Sequence, residues 1–189
     1  MPDLAPPALI DIGANLGHES FAHDFDAVIE RAEHAGIAHL LVTGTSASAS
    51  RHAVEIAQRK PTLLSATAGV HPHEAQHCDE EAFAQIRELV DLPIVRAVGE
   101  TGWVCDERRG HHLLEFLKDI PEERLLLETD APYLLPRSIK PRPKSRRNEP
   151  HYLTEVLSTV AQALGRSPME IAAQTSANAR HLFQLPSAS

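Results

Sequence analysis

Several polar side chains in this sequence stand just after short apolar runs, and their types are those that bind metal ions and move protons. Asn15 follows Leu9–Ala14, Thr43 follows His39–Val42, and the pair His71 and His73 follows Leu63–Val70. Glu100 closes Ile94–Gly99, and Asp130 closes Arg124–Thr129. Carboxylates and imidazoles gathered in one place suit a hard divalent ion or a zinc-like one, which activates water and polarises a phosphoryl oxygen. Each residue also has a plainer use. The histidine pair could cap a turn, Glu100 could bond a loop amide, and Asp130 could cap the turn before Pro132. What favours chemistry is that all of them occupy the same place relative to a strand. His18, His23, His34 and His52 carry no such signal, and His111 and His112 read as surface residues.

The elements that must position these groups follow from periodicity. Short apolar runs predict strands at Leu9–Leu16, His39–Gly44, Leu63–Val70, Ile94–Glu100 and Arg124–Asp130. Helical spacing predicts Asp24–Gly36, closed by its glycine, and Ser46–Lys60, which stops before Pro61. Further helices are expected at Glu80–Val90, burying Phe83, Ile86 and Val90, at His111–Ile120 and at His151–Leu164. Ser167-Pro168-Met169-Glu170 reads as a helix start: serine caps, proline takes the first turn, and glutamate reaches back. Repeated strand–helix units make a parallel sheet covered by helices. The reactive residues then line the C-terminal edge of that sheet, where such folds build their sites.

Composition sets the outer bounds. A chain of 189 residues, 42% hydrophobic, is enough for one globular domain. No run approaches the roughly 20 apolar residues of a membrane span. The first residues lack a basic stretch followed by an apolar one, and Cys78 and Cys105 make no disulfide framework, so a cytoplasmic protein is expected. The net charge of −8 argues against general adhesion to nucleic acid. Yet Arg137, Lys140, Arg142, Lys144, Arg146 and Arg147 fall in one segment without an acid, either a solvated proline-rich loop or a patch that guides an anion.

Taken in order, the strings DIGANL (11–16), TAGVHPH (67–73), AVGETG (97–102), GWVCDERRG (102–110), LLLETDAPYLLPR (125–137), SRRNEP (145–150) and SANARHLF (176–183) resemble the TatD-type metal-dependent deoxyribonucleases. The likeness covers nearly the whole chain. It implies a (β/α)₈-type barrel and 3′-end-directed phosphodiester hydrolysis of DNA, with RNA as a further substrate. It also implies a divalent ion, Mg²⁺ first and Mn²⁺ or Zn²⁺ as alternatives. By the family pattern Glu100 and Asp130 are catalytic and ligate metal, Asp130 also orienting or deprotonating the attacking water, with His71 a further ligand. His73 lines the phosphate pocket. Contacts from Arg137, Arg146 and Arg147 to backbone phosphate follow from charge and position rather than from the motif.

Two departures stand out. Many relatives carry His-x-His where this chain has Gly13 and Asn15, a swap similar to the branch of the founding TatD nucleases. More seriously, Gly102 closes two family patterns at once, joining the end of one strand to the end of a much later one. A full barrel takes about 250 residues, so roughly 60 or more are expected to be missing near 101–103, with two ligand histidines among them. The expectation is one domain forming an incomplete TIM-type (β/α) barrel of about five strands, with impaired nuclease activity and self-association through open sheet edges. The alternatives are a non-catalytic remnant that binds an anion or a partner through the 137–147 loop, and a single-metal hydrolase of a small substrate.

Overall fold

The computed structural model describes residues 8–71, 79–98, 118 and 120–185. Strands β1 (Leu9–Ala14), β2 (Ile37–Val42), β3 (Leu64–Ala68) and β4 (Val95–Val98) form one parallel sheet in the order β1-β2-β3-β4. Helices α1 (Phe25–His34), α2 (Ala47–Arg59) and α3 (Glu80–Val90) connect successive strands, and α4 (Leu153–Leu164) and α5 (Pro168–Phe183) close the chain.

Each helix forms where an apolar stripe and a cap coincide. Phe25, Val28, Ile29 and Ala32 recur at helical spacing and are buried, and α1 runs out into Gly36, whose φ of 87° suits a residue without Cβ. Ser46 accepts the Ala49 N–H at 3.1 Å and starts α2, while Asp79 accepts the Ala82 N–H at 2.8 Å and starts α3. The expected capping box of α5 is present, with Ser167 and Glu170 each satisfying the other's backbone. Helix α4 is entered through a 3-10 turn at Pro150–Tyr152 and ends on Gly165 at φ 65°.

The main core fills the space between sheet and helices, with Leu9, Leu40, Val42, Leu64 and Ala66 from the strands against Val28, Ile29, Ile56, Leu153 and Ile171. Alternation along the strands sends Ile10 and Leu41 to the other face, where Ala179 and Leu185 from the end of α5 and beyond meet them.

The fifth predicted strand takes a different form. A 3-10 turn at Glu122–Arg124 precedes it, and residues 125–129 then run extended beside β1 without a regular ladder, the run turning at Asp130. Ile12 N–H donates to the Leu127 carbonyl at 3.2 Å, Asp130 N–H to Gly13 at 2.9 Å and Asn15 N–H to Ala131 at 2.7 Å. A single parallel bridge, Ala14 to Ala131, completes the pairing. The segment thus lies on the side of β1 away from β2, and five extended segments stand side by side.

Phe83, expected in the core, is 60% exposed. Ile86 and Leu89 carry the buried stripe of α3 instead, against α2 and the sheet. Phe83 sits one turn earlier with the Arg87 guanidinium 6.0 Å from its ring centre, and no described element covers it. Helix His111–Ile120 and the end of strand Ile94–Glu100 fall almost wholly outside the described residues.

Candidate active-site edge

The loops that follow the strands are stitched together by backbone bonds along one edge. Asp130 and Ala131 bond to Gly13 and Asn15, Thr43 N–H donates to Ala14 at 3.1 Å, and His71 N–H donates to Thr45 at 2.8 Å. Asp130 and His71 therefore share the C-terminal edge, with β1 and β2 between their segments. At about 4.8 Å per strand that is roughly 14 Å along a flat sheet, so only curvature toward a barrel brings both to one ion.

Asp130 is half-buried and sits at φ 57°, a left-handed conformation unusual for a residue with a Cβ. Its neighbours impose it. The Asp11 carboxylate, fully buried on β1, accepts the Thr129 N–H at 3.0 Å, the Thr129 hydroxyl at 2.6 Å and the Gly13 N–H at 3.2 Å. Asn148 donates its side-chain amide to the Thr129 carbonyl at 2.7 Å and its backbone N–H to the Pro132 carbonyl at 3.0 Å. The residues on both sides of Asp130 are thus held from two directions, and backbone strain held this way is typical of functional sites. Burial pushes the Asp11 carboxyl up to about 7, against the hydrogen bonds from Thr129 and Gly13, and the nearby Asp130 charge adds to the rise. Asp11 opens the DIGANL string but is not among the site residues expected from sequence. Its one signal was a carboxylate inside an apolar strand.

A second carboxylate stands where a side chain at position 13 would be. A Cβ built on Gly13 would lie 2.6 Å from Glu128 Oε2, so the glycine leaves room for this acid two residues before Asp130. Carboxylate and imidazole donors suit a hard divalent ion. Among the described residues, however, no three His, Cys, Asp or Glu side chains converge as a cage. Glu100 and His73, two of the expected site residues, lie outside the described residues.

The basic loop divides in two. Arg137, Lys140, Arg142, Lys144 and Arg146 are exposed, Arg146 at φ 52°. Arg147, expected to touch phosphate, is committed elsewhere. Its guanidinium donates to both Asp24 oxygens at 2.8 and 2.7 Å and to Glu149 Oε1 at 2.7 Å. It also donates to the Ser20 carbonyl and lies 4.8 Å from the Phe21 ring centre. Arg31 completes the group, donating to Glu149 at 2.7 Å and to Asp24 at 3.3 Å. Hydrogen bonding from Arg147 holds Asp24 below the usual carboxylate range. For Glu149, burial alone would raise the pKa, but hydrogen bonds from His151, Arg31 and Arg147 outweigh it and hold the group at about 2. Two cations and two anions balance here, so Arg147 anchors the end of the loop, while Arg137 and Arg146 stay exposed.

The family model for the TatD-related DNases matches residues 10–109 and again 101–184. Residues 101–109 therefore answer to both an earlier and a later part of that pattern. The 3′-5′ ssDNA/RNA exonuclease TatD of Erwinia billingiae is 36% identical over 260 residues, covering 94% of this chain and all of the relative. The protein of the same description from Salmonella typhimurium is 34% identical over 259 residues, covering 94% and 99%. Since 94% of 189 residues is about 178, some 80 positions of the Erwinia protein face no residue here. Among solved structures, the TatD homologue YJJV of Escherichia coli superposes with a TM-score of 0.75 at 17% identity, covering 94% of this chain and 98% of that one. A TatD family hydrolase of Entamoeba histolytica gives 0.76 at 19% identity, covering 96% and 99%. The fold is that of this group's barrel, incomplete here.

Proposed function

The chain belongs to the TatD-related DNase family, and from that premise we propose that it is a metal-dependent phosphodiester hydrolase acting from the 3′ end of single-stranded DNA, and of RNA. The observation that carries this reading is Asp130, a carboxylate fixed in a left-handed turn at the strand-end edge by Asp11, Thr129 and Asn148, beside a loop of exposed cations.

Asp130, Glu100 and His71 would hold the ion, Mg²⁺ first and Mn²⁺ or Zn²⁺ as alternatives. Once bound, it supplies a water of lowered pKa and a Lewis acid for the phosphoryl oxygen. Asp130 orients the attacking water and accepts its proton, and His73 lines the phosphate pocket. Arg137 and Arg146 contact backbone phosphates, which position the strand without reading its sequence. The double match over 101–109 supports one domain shortened near 101–103, in which the two later ligand histidines of the family are missing. Turnover is then slower than in a full-length relative. Two cysteines and no disulfide framework support a cytoplasmic protein, and open sheet edges support self-association.

The test is degradation of a 5′-labelled single-stranded oligonucleotide with Mg²⁺ or Mn²⁺, in wild type, Asp130→Asn and Glu100→Gln. Stepwise shortening from the 3′ end that is lost in both variants supports the nuclease. Saturable metal binding without DNA turnover would favour a small-substrate hydrolase, and no metal binding would leave the remnant.

A further inference from the structure

Two aromatic rings stand exposed among the described residues: Phe83 on α3 and Tyr133, 48% exposed, at the strand-end edge. Tyr133 is tied to the reacting end of the site, since its N–H donates to the Asp130 carbonyl at 2.9 Å. Its ring meets His18 at 5.6 Å between centres and 78° between planes, so the two form an L-shaped corner. His18 is held as firmly. Its N–H donates to the Asn15 carbonyl at 3.1 Å, and its Nδ1 accepts the Ser20 N–H at 3.1 Å and lies 3.0 Å from the Ser20 hydroxyl.

The basic loop pins both halves of this corner. Arg147 holds the Ser20 carbonyl, and Asn148 N–H holds Pro132, the residue before Tyr133. A half-exposed ring that is fixed before a ligand arrives loses little entropy on stacking. Around it lies the material of a single-strand site: an open aromatic face, a loop of exposed cations, and a carboxylate one turn away.

We propose that Tyr133, flanked by His18, stacks the terminal base of a single-stranded nucleic acid and so sets the last phosphodiester against Asp130. This rests on the nuclease reading and names its subsite. A base paired in a duplex has no free face for the ring, so the corner selects frayed or unpaired ends.

Binding of a dye-labelled single-stranded oligodeoxynucleotide is measured in the Asp130→Asn background, with turnover measured separately in wild type. Tyr133→Ala is expected to weaken binding about 5- to 100-fold, the loss of one base stack, and Tyr133→Trp to restore it. An oligonucleotide ending in an abasic 3′ residue should bind the Asp130→Asn protein as weakly as the ordinary one binds the Tyr133→Ala double variant, and the two losses should not add. The salt slope should stay unchanged in Tyr133→Ala and become shallower in Arg146→Gln. Equal affinity for ordinary and abasic ends overturns the corner without relying on any variant at Tyr133. Hydrolysis by wild type with Tyr133→Ala leaving KM unchanged overturns the corner and leaves the nuclease reading. The stacking signature without hydrolysis keeps the corner and overturns the nuclease, and no binding at all overturns both.

Discussion

Asp11 gives the sharpest test of the physical account. Its carboxyl is fully buried and shifted from 3.8 to about 7, so the fold favours its protonated form. The protonated Oδ2 can donate to the Thr129 hydroxyl oxygen across the same 2.6 Å. A carboxyl whose pKa is raised on folding contributes stability that is present below the unfolded value and lost as pH rises through the folded value. The window therefore runs from about 4 to 7. Taking 1.36 kcal/mol per pKa unit, this group alone lowers wild-type stability by about 2.5 kcal/mol between pH 5 and pH 8. Asp11→Asn keeps the shape and cannot ionise, so the variant loses that slope. Glu149 acts in a separate window: held at about 2 against 4.5, it contributes stability above 4.5 that is lost as pH falls toward 2. Urea unfolding of wild type and Asp11→Asn at half-unit steps from pH 5 to 8 measures the difference directly. Parallel curves across that range would refute the assignment of a protonated, buried Asp11.

Arg147→Ala should destabilise the protein by about 3 kcal/mol, because it strands Asp24 and Glu149 in a partly buried pocket. Arg147→Lys should recover less than half of this, since one ammonium cannot reproduce the paired bonds to Asp24 and a third to Glu149; full stability of either variant in urea would count against the anchor. Gly44→Ala should cost about 2 kcal/mol by chemical unfolding, because the new Cβ would lie 2.5 Å from the Thr67 carbonyl and 2.8 Å from Ser50 Cα, both backbone atoms. Ser167→Ala should cost about 1 kcal/mol through loss of the capping box, and an unchanged thermal midpoint would show that the cap contributes nothing.

Much of the fold was legible because local rules and tertiary packing agree. The stripe of α1, the serine caps of α2 and α5 and the apolar runs of β1 to β3 each point the same way at both levels. Phe83 was misplaced because periodicity marks a stripe but not what lies across from it, and in α3 no described neighbour stands there. Residues 124–130 read as a strand by composition. Only their meeting with β1 makes them an extended border with one bridge and three strand-side bonds.

For the site, the sequence by itself brought His71 and Asp130 to the C-terminal edge, since a parallel strand places its final side chains there wherever the strand lies in the sheet. It also determined the family, through motifs in order, two of which overlap at Gly102. What only the tertiary structure decided is the division of labour among like groups. Six cations in one loop are equivalent on paper. Folding brings Asp24, from the far end of the chain, against Arg147 and turns it into an anchor, while Arg146, its neighbour, stays exposed. Asp11 and Asp130 are likewise two aspartates, one inside β1 and one in the segment paired beside it. Burial raises the pKa of one, against hydrogen-bond donors 118 residues away that hold its oxygens, and leaves the other half-exposed at the edge. Charge pairing and desolvation act through distances in space, and sequence separation carries no record of them.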